Sequence, residues 1–123
     1  MEKNVFGEKL HTCCTSPMTG YFRDGSCRTI SEDTGTHTVC AVMTDEFLRF
    51  SASRGNDLIT PAPYYQFPGL KPGDKWCLCV SRWIEAEKAN KAPKLILEAT
   101  HEKTLDYTSL DVLVKHAFIR SSD

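Results

Sequence analysis

Gly69-Leu-Lys-Pro-Gly-Asp-Lys-Trp-Cys-Leu-Cys-Val-Ser-Arg-Trp83 is the stretch on which the expected architecture turns. Pro72 and Gly73 mark a turn. Lys75 to Val80 then carries a single polar side chain, the composition of a strand covered on both faces and so central in its sheet. Side chains alternate along a strand, so Cys77 and Cys79 project from one face, and Trp76, Leu78 and Val80 from the other. Two thiols therefore lie side by side, and Trp76 is expected in the core.

Downstream, Ser81 caps a helix to about Asn90, with Trp83, Ala86 and Ala89 inward and Glu85, Glu87 and Lys88 outward, and Pro93 ends it. Leu95 to Thr100 reads as the next strand, and strand, helix, strand in that order predicts a right-handed crossover between parallel neighbours. Upstream, His37 to Met43 is another buried strand. Thr44 caps a helix whose first turn holds Asp45 and Glu46, whose apolar residues are Phe47, Leu48, Phe50 and Ala52, and whose stop is Gly55. Asp24-Gly25 predicts a tight hairpin within Tyr21 to Arg28, with Phe22 facing Cys27. Asn4 to Leu10 is a short strand or docked arm. Ser109 caps a last helix presenting Leu110, Leu113, Val114, Ala117 and Phe118 at helical spacing. The expected fold is α+β: a compact two-layer α/β domain with a small mixed, partly parallel sheet and about three helices.

A chain of 123 residues with 41% hydrophobic content supports one core, so residues 1–123 are expected to form one domain. Lys and Arg total 15 against 16 Asp and Glu, which leaves no basic field for nucleic acid or an anionic membrane. No stretch has the length of a membrane span, and Met1 to Lys9 lacks the apolar run of a signal peptide. The location expected is cytoplasmic. In a reducing compartment the six cysteines are expected as free thiols without disulfides, and none of them forms a C-x-x-C pair.

Pro17-Met-Thr-Gly20, Arg23-Asp-Gly25, His37-Thr-Val-Cys-Ala41, Arg54-Gly-Asn-Asp-Leu58, Pro68-Gly-Leu-Lys-Pro-Gly-Asp74, Trp76-Cys-Leu-Cys79 and Glu98-Ala-Thr-His-Glu102 together resemble the uncharacterised bacterial family called domain of unknown function 2237. The resemblance covers nearly the whole chain. It implies a compact two-layer α/β domain and no assigned activity. Adjacent cysteines are common in that family where this chain has Ser26-Cys27, which sets it apart from any mechanism needing thiols at both positions.

Ligands of open α/β sheets collect at the carboxyl ends of parallel strands, which here carry Met43, Cys79 and His101. A Cys79 and His101 pair suits nucleophilic catalysis, because an adjacent base activates a thiol. Cys40, Cys77 and Cys79 are soft ligands suited to zinc, with His101 or Cys27 as a fourth group, although inert burial is the more ordinary fate of a cysteine. Cys13 and Cys14, beside a turn, are expected at or near the surface. The connection from Asn56 to Gly69 is longer than most loops. Arg54, Asn56 and Asp57 are candidate polar ligand-binding groups there, under a lid containing Tyr64, Tyr65 and Phe67. The function expected is a small-ligand or protein-binding module. The alternatives are a thiol- or metal-dependent enzyme using Cys79 and His101, and a structural zinc-binding domain.

Overall fold

His37–Val42 forms β1, and its four middle residues are buried because both faces and both edges of the strand are covered. In the computed structural model, which describes residues 2–118, the remaining elements are α1 (Asp45–Ser53), β2 (Lys75–Cys79), α2 (Val80–Lys88), β3 (Lys94–Leu95) and α3 (Leu110–Lys115), with short 3-10 turns at Pro63–Tyr65, Leu97–Ala99 and Glu102–Asp106. The sheet order is β2-β1-β3, and both strand pairs are antiparallel.

The partly parallel sheet is thus corrected. β2 and β3 do flank a helix and run in the same direction, but β1 lies between them and takes the hydrogen bonds of both. β1, not β2, is the central strand. The third strand ends after Leu95 because Leu97–Ala99 closes a 3-10 turn, so its side chains cannot alternate as far as Thr100. Asp24-Gly25 does turn, yet no hairpin forms. Gly25 donates to the Thr19 carbonyl and accepts from the backbone of Cys13 and Cys14, so the turn pairs with neighbouring loops.

Helix ends follow the expected chemistry in two places. Thr44 Oγ1 accepts from Phe47 N at 3.1 Å, and Ser109 Oγ from Val112 N at 3.3 Å. α2 differs: it begins two residues early, at Val80, and Cys79 stands at its N-cap without a side-chain cap bond.

The two faces of the sheet bury different chemistry. Val39, Ala41 and Leu78 pack with Phe47, Leu48, Trp83, Ala86 and Leu113 from the helices. On the other side, Cys40 and Cys77 pack with Cys13, Cys27 and Ala99. Trp83 is the fully buried tryptophan, and its indole N–H donates to the Pro93 carbonyl at 3.1 Å. Trp76 is half-buried at the rim of this core, edge-on to Phe67, because β2 is an edge strand with no neighbour to enclose the ring. The N-terminal arm is docked by Asn4, fully buried, whose amide donates to Glu98 and Lys9 carbonyls and whose oxygen accepts from Phe6 and Glu8 N–H.

Candidate active site

Between His37 and Val39 the register of β1 against β2 shifts: Cys40 stands opposite Cys77 and Val39 opposite Leu78, but His37 stands opposite Cys79. Thr38 is the extra residue of a β-bulge. Without it, Thr38 would face Cys79. Such bulges re-aim side chains, and residues directly opposite each other on an antiparallel pair share a face. Thr38 is held in the bulge by a buried 2.9 Å hydrogen bond between its hydroxyl and that of Thr104.

His37 is oriented from behind. Its Nδ1 lies 2.7 Å from Asp33 Oδ1, while Asp33 Oδ2 accepts from the His37 backbone N–H at 2.9 Å and the Thr29 hydroxyl at 3.0 Å. Burial pushes the Asp33 carboxyl up, but these hydrogen bonds from His37 and Thr29 outweigh it and hold it below the ordinary carboxylate value. An ionised Asp33 accepts at Nδ1–H and leaves Nε2 of a neutral ring free to take a proton. The Asp33 side chain is fully buried and that of His37 is 41% exposed, so the acid is sheltered and the imidazole accessible. Gly35 makes room for the ring, since a Cβ there would sit 2.5 Å from His37 Cε1.

Cys79 and His37 both line a cavity of about 200 Å³ together with Asn56, Leu58, Trp76, Leu78 and Arg82. His37, Leu58 and Trp76 also line an adjoining cavity of about 270 Å³ whose other walls include Tyr21, Arg23 and Cys77. Residues from both faces of β2 reach this groove, so it runs along the outer edge of that strand, where the Cys77 N–H donates to Thr19 Oγ1 at 2.8 Å. Cys79 is half-buried, and its Sγ is 3.2 Å from Ser81 Oγ. As N-cap of the nine-residue α2, it occupies the positive end of the helix dipole, with Arg82 one turn on and in the same cavity. The Arg82 guanidinium is steadied by the Arg54 carbonyl at 3.0 Å.

The free-thiol expectation is corrected for four of the six cysteines. Cys13 is bonded to Cys40 and Cys27 to Cys77, leaving Cys14 and Cys79 as free thiols. Cys13 is buried, not at the surface, because its backbone N–H docks on the Gly25 carbonyl and carries it against β1. The sulfurs of Cys13, Cys27 and Cys77 lie within 4.8 Å of one another. Cys79 belongs to the groove, not to this cluster.

His101 sits across β1 from Cys79, donating its backbone N–H to the Thr38 carbonyl. Its Nδ1 accepts from Lys103 N at 2.9 Å and its Nε2 faces Glu2 Oε1 at 2.8 Å, so both ring nitrogens are engaged. It lines a separate cavity of about 680 Å³ with Glu2, Thr29 and Tyr107. The structure does not bring it to Cys79. Of the loop residues, Asn56 reaches the groove. Arg54 caps α1 and lies over the Phe50 ring. Asp57 Oδ1 accepts from Ile59 and Thr60 N–H, and hydrogen bonds from Thr60 and Ile59 hold its carboxyl low. Tyr64 and Tyr65 are 90% and 70% exposed and pack edge-on to each other. Asp33 and His37 escaped the sequence reading, although their four-residue spacing at the entry to a buried strand was visible.

Comparison with the curated proteins finds no match. A family model described as an uncharacterized protein conserved in bacteria (DUF2237) matches residues 3–117, and the chain therefore belongs to that family.

Proposed function

We propose that this protein is a thiol-dependent enzyme in which Cys79 is the nucleophile, His37 the general base and Asp33 the residue that orients the base. The observation that carries the reading is the bulge that sets His37 opposite Cys79 while a buried carboxylate holds the far side of the imidazole. In this chemistry His37 Nε2 takes the Cys79 proton and the sulfur attacks an electrophilic carbonyl carbon. The resulting thioester forms as the leaving group departs with the proton from His37, and water then cleaves it with His37 again as base. Trp76 and Leu58 supply apolar walls for the substrate, and Arg82 and Arg23 stand at its two ends. His101 takes no part in this assignment.

Iodoacetamide labelling of Cys14→Ser protein tests it. Cys79 should react roughly ten- to thirty-fold faster than an ordinary surface thiol at pH 7, where such a thiol is only a few per cent ionised. His37→Ala should bring the rate down to the ordinary one. Unchanged kinetics in His37→Ala would sink the catalytic assignment and leave the groove as a binding site, the role of a small-ligand module.

A further inference from the structure

We infer that the four cysteines joined as Cys13–Cys40 and Cys27–Cys77 form, when reduced, a tetrathiolate site for one zinc ion, and that the protein therefore exists in a disulfide form and a zinc form. The inference is independent of the chemistry assigned to Cys79. Two unrelated disulfides need not touch, yet here both sulfurs of Cys27–Cys77 and the Cys13 sulfur of the other bond lie within 4.8 Å of one another. Four thiolates around zinc stand at about 2.3 Å from the ion, which sets neighbouring sulfurs roughly 3.8 Å apart. For Cys13, Cys27 and Cys77 the gap between pairs therefore closes by about 1 Å at most, and Cys40, tethered to Cys13, swings in as the fourth ligand by side-chain rotation once that bond is reduced.

The backbone supports the same set. Cys40 and Cys77 are direct cross-strand partners on β1 and β2, so two ligands come from the most rigid part of the fold. Cys13 and Cys27 come from loops tied together through the Cys13 N–H to Gly25 carbonyl bond at 2.7 Å. All four residues are at most 6% exposed and pack with Ala99 and Ile96, and the neighbouring hydroxyls of Thr100 and Thr19 are engaged by the Cys40 and Cys77 N–H groups, so reduction leaves four thiols buried together. Zinc satisfies them together. Cys77 also lines the groove cavity, which supplies an entry path, and Arg23 on the wall of that cavity offsets part of the negative charge of four thiolates around a divalent ion. The exchange balances: each disulfide takes two electrons and two protons from a cellular dithiol, which closes to its own disulfide, and zinc then displaces four protons from the thiols.

The test uses the full chain carrying Cys14→Ser and Cys79→Ser, so that the thiols counted are those of the cluster. After reduction with a phosphine, which leaves as its oxide, cobalt(II) should bind with saturation at one ion per chain. It should show the thiolate-to-cobalt charge-transfer and intense visible bands of a tetrahedral tetrathiolate, and stoichiometric zinc should bleach them. Zinc should also protect the thiols from alkylation, and the unreduced protein should show neither effect. Reduced protein that keeps its folded circular dichroism but gives no saturable bands would overturn the inference, as would reduced protein that stays unfolded at every cobalt and zinc concentration. Because no ligand is mutated, failure here leaves the Cys79 labelling result standing, and the reverse also holds.

Discussion

Asp33 ties the candidate site to stability as well as to chemistry. Its folded-state value is depressed, so its hydrogen bonds stabilise the fold above about pH 4, the ordinary carboxylate range, and that contribution is lost as pH falls through the folded value. Asp33→Asn should therefore be less stable than the parent at pH 7, with a gap that narrows below pH 4 as the parent loses its advantage; urea midpoints across that range measure it. A gap independent of pH would mean that the carboxylate charge contributes nothing. The same substitution should slow Cys79 labelling, since an amide no longer enforces the Nδ1–H tautomer. At this scale the sequence was half legible. Cys79 stood out as a thiol at a strand end. His37 did not, because no local pattern announces a bulge, and the partner chosen from the sequence, His101, looked close only under parallel pairing.

Elements decide which residues meet, and the turn before β1 is the sharpest case. Gly35 has no special φ, so its value lies in space: alanine there would place a Cβ 2.5 Å from His37 Cε1. The ring cannot retreat without leaving Asp33. We expect Gly35→Ala to fold and to lose most of the difference in Cys79 labelling between the parent and His37→Ala. Labelling at the parental rate would mean that the imidazole position is immaterial. The helices tell a related story. Two of their three caps and part of their apolar faces were readable, as Thr44, Ser109 and the buried Trp83 show, whereas α3 ends at Lys115 and leaves Val114 and Phe118 exposed. Sheet order was not. A strand–helix–strand string is compatible with direct neighbours or with a strand between them, and the string does not say that β1 fills the gap. The error over Trp76 follows from it: an apolar run marks a buried centre or an edge roofed by a loop. Trp83→Ala should therefore cost about 3 to 5 kcal/mol in chemical denaturation, and Trp76→Ala distinctly less.

Across the whole molecule the disulfides join what the sheet alone leaves loosely attached. Among the described residues the segment before β1 contains no helix or strand and is held by isolated bridges, a few hydrogen bonds and the bonds from Cys13 and Cys27 into β1 and β2. The pairs are 27 and 50 residues apart in sequence, separations for which loop-closure entropy gives about 3.5 and 4 kcal/mol of stabilisation respectively. The two bonds share one cluster, so their effects should not add. Breaking either alone, by Cys13→Ala with Cys40→Ala or by Cys27→Ala with Cys77→Ala, should cost roughly 2 to 4 kcal/mol, and removing both should cost more than the sum, because the overlapping loops shorten each other and the bond left after the first loss restrains a longer effective loop. Urea denaturation of the three variants without metal, beside the oxidised parent, measures these differences. Full additivity would show that the bonds act as separate clamps and that the arm and the Gly20 to Gly25 turn fold independently. A loss below about 1 kcal/mol for both single removals would show that hydrogen bonds such as those of Asn4 hold the segment by themselves, leaving the cysteines free for another role.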